Sequence, residues 1–162
     1  MAALARRLQL VRGEPEDRWM ETALKVAFAT SDMKHVDQHF GATRSFAIYA
    51  LDAERAGLAE AVEFGHAEAT GHDPDRLAAR ISALEGCIAV YCLAVGASAI
   101  RQLKSRGVQP VKISSDTPIG ELLGTLQQEL RDKPGGWLAR AIGAAEADAS
   151  RFDQMEADGW EE

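Results

Sequence analysis

Two nearly unbroken apolar runs, LKVAFAT at 24–30 and CIAVYCLAV at 87–95, constrain the fold more than any other feature of the chain. A strand with one wet face alternates apolar and polar side chains, whereas a strand that reads apolar throughout is covered on both faces. The chain therefore has to build a sheet with layers packed on either side of it. Ser45–Asp52 reads as another strand, because Phe46, Ile48 and Ala50 alternate with Ala47, Tyr49 and Leu51. Leu58–Phe64 alternates too, but it is rich in Ala and Glu, which favour helices; it is expected as an edge strand.

The second half of the chain switches period. Asp73 and Pro74 form a helix start, the first as a cap and the second at the position that needs no N–H. Leu77, Ile81 and Leu84 share one face of that helix, and Gly86 stops it. After the 87–95 run comes GASA, then a helix with Ile100 and Leu103 inward that ends at Gly107. Pro110–Ser114 is a short strand. Thr117-Pro118 opens a helix carrying Ile119, Leu122, Leu123, Leu126 and Leu130 on one stripe, residues 133–136 break it, and a short helix follows over 137–142. Consecutive strands followed by alternating strands and helices give an α/β chain. The order is that of a ribonuclease-H-like mixed sheet, an antiparallel meander plus parallel strands, with flanking helices.

A length of 162 residues suits one domain, expected at 23–145, between a leader at 1–22 and an acidic tail at 146–162. The net charge is −7, and six of those seven net negative charges fall after Ala145. Such a chain repels a polyphosphate backbone or an anionic bilayer, so nucleic acid and membrane are excluded as partners. No run approaches the roughly 18 apolar residues that span a bilayer. Arg6-Arg7 is not followed by the apolar region of an export signal, which points to the cytoplasm. Cys87 and Cys92 are expected on one strand, five apart and so on opposite faces, which disfavours a disulfide. A monomer is expected.

The chemistry concentrates at the connection SDMKHVDQHFGATR, between the first two strands. Ligands bind beyond the carboxyl ends of parallel strands in open sheets. If the 24–30 and 87–95 strands are parallel neighbours, this connection meets the VGASA loop at one edge. His35, His39 and Cys92 would then share a region with the amides of Gly96–Ser98. His39 is the leading donor: imidazole suits iron and other borderline metals. Phe40 can anchor the loop, Gly41 can ease the turn, and Asp37 or Gln38 can orient the ring. A surface histidine in a polar loop is the plain alternative. His35 and His39 sit four apart, but no third or fourth ligand accompanies them, so a closed zinc site is not expected. Cys92 is either a core cysteine or a thiolate donor, and Cys87 packs. His66 and His72 read as loop residues. A nuclease needs carboxylates in the first strand, which has none, and there is no P-loop or nucleophile elbow; the chain is not expected to be an enzyme.

The run KVAFATSDMKHVDQHFGATRSFAIY, followed in order by EFG, GCIAVYC, GASAIRQL, GVQPVKIS and LQQELRDKPGGWLARAI, resembles the dinitrogenase iron–molybdenum cofactor biosynthesis family, the NifX/NafY/NifB C-terminal group. The resemblance covers about residues 24–142. It implies a ribonuclease-H-like fold without nuclease chemistry, and a cytoplasmic carrier. The carrier would bind an iron–sulfur precursor of the nitrogenase cofactor (the NifB cofactor) reversibly, or the mature cofactor, and pass it between NifB and the NifEN scaffold. The family's cofactor-associated histidine, in an Asp-Gln-His-Phe-Gly motif, falls on His39 here. The cargo is anionic, so Lys34, Arg44 and Arg101 can pair with it, and the helix starting near Gly96–Ser98 offers amide donors. The competing reading is a protein-binding adaptor of the assembly machinery that holds no cluster.

Overall fold

The computed structural model describes residues 6–9, 19–65 and 74–144. Its strands are β1 (Arg6–Gln9), β2 (Leu24–Thr30), β3 (His35–Val36), β4 (Ser45–Leu51), β5 (Ala56–Glu63), β6 (Ala89–Cys92), β7 (Gln109–Lys112) and β8 (Thr117–Pro118). Its helices are α1 (Trp19–Thr22), α2 (Pro74–Ala83), α3 (Ala97–Ser105), α4 (Ile119–Arg131) and α5, over 136–144. Six strands form one mixed sheet in the order β1-β5-β4-β2-β6-β7, and β3 pairs with β8. The pairs β1–β5, β5–β4 and β4–β2 are antiparallel, while β2–β6 and β6–β7 are parallel.

The apolar runs are what this sheet needs. Ala27 and Ala29 of β2 pack on one face with Ile81 and Leu84 from the α2 segment and Leu103 of α3. Val26 and Phe28 pack on the other with Ile119, Leu123 and Leu126 of α4 and Leu138 of α5. Successive side chains of one strand thus enter opposite cores, and a polar residue at either parity would be buried. Each fully buried Leu, Ile or Phe contributes roughly 1.5–3 kcal/mol. Helix ends follow the backbone: Gly86 and Gly107 take φ of +90° and +78°, where a side chain would be strained.

Several expectations change. β5 is not an edge strand, because β1 pairs along it from Arg6–Glu63 to Gln9–Glu60. The 1–22 segment also supplies α1, whose Trp19 ring lies 4.5 Å from the Arg55 guanidinium. The Met20 methyl lies over Gly57, where a Cβ would displace it. β6 is shorter than the apolar run, so Cys87 precedes the strand and alternation does not apply to it. Both cysteines are buried in the same core as α2 and α3. Thr117-Pro118 pairs with His35-Val36 as β8, and the helix starts one residue later at Ile119. The Asp73 cap, His66, His72 and the acidic tail lie outside the described residues.

Candidate functional site

β2 and β6 are parallel neighbours, paired from Val26–Ala89 to Phe28–Tyr91, so their carboxyl ends share one edge of the sheet. The loops leaving those ends are joined through the backbone. The Phe40 N–H donates to the Ala94 carbonyl at 2.8 Å, and the Leu93 N–H donates to the Gln38 carbonyl at 2.9 Å. The two bonds bracket His39. Phe40, fully buried, packs its ring 5.7 Å from that of Phe46 and anchors the turn from below. A 3-10 turn, Phe40–Ala42, follows at once.

His39 itself stays exposed, in an extended conformation at φ −75° and ψ 146°. Its imidazole makes no hydrogen bond or ion pair among the described residues. Neither orienting group expected of the sequence serves it. The Asp37 carboxylate instead accepts from the Ser31 N–H, at 2.9 Å, and from the Ser31 hydroxyl. The Gln38 amide donates to the Asp37 carbonyl. Gly41 is not needed for the turn either: its φ is not left-handed, and a Cβ there would meet open space.

His35 differs. Its Nδ1 lies 2.9 Å from Asp32 Oδ2, while Asp32 Oδ1 accepts the N–H groups of Lys34 and His35 at 2.8 and 2.9 Å. The Lys34 amide, then the His35 ring and the His35 amide, hold the Asp32 carboxyl well below its usual range, and the Asp32 hydrogen bond raises His35 above its own. The loop is closed by Thr30, whose buried hydroxyl accepts from the Met33 N–H at 3.0 Å; Met33 is left-handed at φ 64°. The Lys34 carbonyl accepts from Ile119 N–H at 2.8 Å, tying the loop to α4.

Cys92 is fully buried, and burial pushes its thiol up to about 11. Lys34, Arg44, Ser98 and Arg101 are exposed, with Gly96 at the N-terminus of α3. Among the described residues no three His, Cys, Asp or Glu side chains gather as a metal-holding group.

Two residues at this edge escaped the sequence reading. Arg76 and Arg80, one turn apart on α2, are 8% and 0% exposed. Arg76 Nη2 donates to the Gly41 carbonyl, and Arg80 Nη2 donates to the Thr43 carbonyl at 2.8 Å. Arg80 also stacks 4.4 Å over Phe64. The signal was there: Arg76 and Arg80 each precede a member of the apolar stripe Leu77–Ile81, so both lie at its border.

A family model described as dinitrogenase iron-molybdenum cofactor matches residues 22–129, which takes in both loops and α2. Protein NifX of Azotobacter vinelandii is 51% identical over the whole of both chains. The chain belongs to the dinitrogenase iron–molybdenum cofactor family. Membership connects it with nitrogen fixation and with iron–molybdenum cofactor biosynthesis. Within the family, Protein NifX of Klebsiella pneumoniae is 42% identical over 72% of each chain. The FeMo cofactor biosynthesis protein NifB of Klebsiella pneumoniae is 33% identical over 79% of this chain but only 27% of its own length. A crystal structure of PH0822 shares the fold, with a TM-score of 0.52 at 24% identity over 65% of this chain and 89% of that one. No helix among the described residues is long and apolar enough to cross a membrane.

Proposed function

We propose that the chain is a carrier, not an enzyme, that reversibly binds an anionic iron–sulfur precursor of the nitrogenase iron–molybdenum cofactor and hands it from NifB to the NifEN scaffold in the cytoplasm. One observation carries the reading: His39 presents an imidazole with no partner among the described residues, from a turn whose backbone is held on both sides. A cluster already rich in sulfide needs few protein donors, and a single imidazole on a fixed turn binds it without closing a permanent site. Lys34, Arg44 and Arg101 supply exposed positive charge on the same loops and on α3. Cys92 is left out of the ligand set, since its side chain is fully buried in the core beneath α2 and α3. The strand order β5-β4-β2-β6-β7 supports the finer fold assignment, a ribonuclease-H-like sheet that serves as a binding scaffold.

The test is anaerobic titration with the isolated iron–sulfur precursor made by NifB, followed by gel filtration with and without NifEN. The wild-type chain should carry iron and visible absorbance through the column, and His39→Ala should elute at the same volume with most of both lost. A wild-type chain that retains no iron yet still co-elutes with NifEN would replace the carrier with the adaptor. His39→Ala with full iron would remove His39 from the ligand role.

A further inference from the structure

We propose that Arg76 is a positioning residue for the His39 turn, with Arg80 beneath it in the same role. The inference rests on the carrier reading for its functional meaning, but its structural half stands apart from it. The His39 turn has few side-chain contacts of its own to hold it. Phe40 anchors it below, Ala94 and Gln38 fix its entry, and its exit runs through Gly41, Ala42 and Thr43. On that exit side the carbonyls of Gly41 and Thr43 each accept from one buried guanidinium.

Arginine is almost never buried without a demanding reason, because removing a guanidinium from water is costly. α2 buries two of them one turn apart, both directed at the same five-residue stretch. Arg80 has a further device that fixes its plane, the Phe64 ring 4.4 Å away. The buried Nε of Arg76 has no hydrogen-bond partner among the described residues. Its place is therefore set by the Gly41 carbonyl and not by full satisfaction of its own donors. A planar fork suits this task, since its donors are rigidly spaced and its charge survives any physiological pH. Holding the two carbonyls inward keeps the turn from relaxing away from the β6–α3 loop. It also places fixed positive charge behind the point where an anionic cargo docks.

The experiment has two arms. The first needs no cargo: amide hydrogen exchange on the full chain, comparing wild type with Arg76→Met and Arg76→Lys. Methionine keeps the buried stem but removes the donors and the charge. Exchange at the Phe40 and Leu93 amides should quicken about tenfold or more in Arg76→Met, since a bond to a charged donor is lost, while β2 amides stay as in wild type. Arg76→Lys should fall between the two, because an ammonium restores the charge and a donor group but not the planar fork. If Arg76→Met does not fold, Arg76→Lys carries this arm alone, with faster exchange confined to the two loop amides. Wild-type exchange at Phe40 and Leu93 in every folded variant overturns the proposal.

The second arm loads isolated iron–molybdenum cofactor anaerobically and reads the nitrogen coupling of the His39 imidazole by pulsed electron paramagnetic resonance. The Arg76 variants should weaken or scatter that coupling in the same order as the exchange rates. Unchanged coupling in variants whose loop exchange has quickened overturns the positioning role. If instead wild type shows no nitrogen coupling that His39→Ala removes, the carrier reading has failed, and the exchange arm decides the positioning role by itself.

Discussion

His35 and His39 sit four residues apart in one loop, and the chain treats them oppositely. The Ser31–Asp37 half is organised by its own side chains: Asp32 takes two backbone amides and the His35 ring, and Asp37 takes Ser31. The Gln38–Thr43 half has no such internal network, and it is held from outside, by the β6–α3 loop and by α2. A loop that satisfies itself spends its polar groups doing so. A loop fixed by its backbone leaves its side chain available. Availability as a ligand therefore follows from where the supporting hydrogen bonds come from, not from residue type or spacing.

The comparison is broken most severely by removing the outside anchor. Phe40→Ala empties a fully buried ring site against Phe46 and should cost about 3–5 kcal/mol in urea unfolding. Cofactor retention should fall with it. A loss under about 1 kcal/mol would mean the turn is held by its backbone bonds alone, and that the ring adds little.

Next comes the contrast between the two rings. His39→Ala should lower cofactor affinity on the order of a hundredfold, as even groups that merely orient a metal ligand account for 10–100-fold. His35→Ala should change it far less, because the His35 ring is engaged with Asp32. Equal losses in the two variants would erase the distinction drawn here and restore a two-histidine site.

Cys92 was the other donor the sequence offered, and the outcome shows what a sequence hides. The strands at 24–30 and 45–51 were legible because a doubly covered strand has no polar residue to spare. Gly86 and Gly107 were legible as stops because only glycine takes their φ cheaply. Closeness to the ligand edge also read correctly for Cys92, while the choice between core cysteine and thiolate donor stayed open. Depth depends on α2 and α3 covering that face, and periodicity within β6 cannot report it. Arg76 and Arg80 were missed for the mirror reason: a charged residue at the border of an apolar stripe reads as solvated until the packed partner is known. β1 was missed because four residues, RRLQ, are too few to show a period. Cys92→Ser tests depth directly. It sets a hydroxyl in an apolar core and should cost about 1–3 kcal/mol while leaving the bound cofactor's spectrum unchanged. An altered spectrum with wild-type stability would return Cys92 to the ligand set.

The smallest effect should come from pH, and it sharpens the contrast from the self-satisfied side. His35 is raised above its ordinary 6.5, chiefly by its hydrogen bond to Asp32, with Asp116 and Asp37 adding charge and slight burial opposing. A group raised on folding favours the folded state when protonated. Its contribution is complete below pH 6.5 and is lost as pH rises through the higher folded value. Asp32 is held below its ordinary 3.8, first by the Lys34 amide and then by the His35 ring, so its contribution is complete above 3.8 and is lost on acidification through the lower folded value. Between those two limits the pair is at full strength. The difference in melting temperature between wild type and His35→Ala should therefore be greatest between the ordinary values of the two groups, 3.8 and 6.5, and shrink as pH rises through the raised folded value of His35. Both groups are open to solvent, so the difference should be small and should diminish further in high salt. A difference that grows with pH would mean the neutral ring, not the ion pair, steadies this half of the loop. It would then no longer be the Asp32 charge that separates His35 from His39.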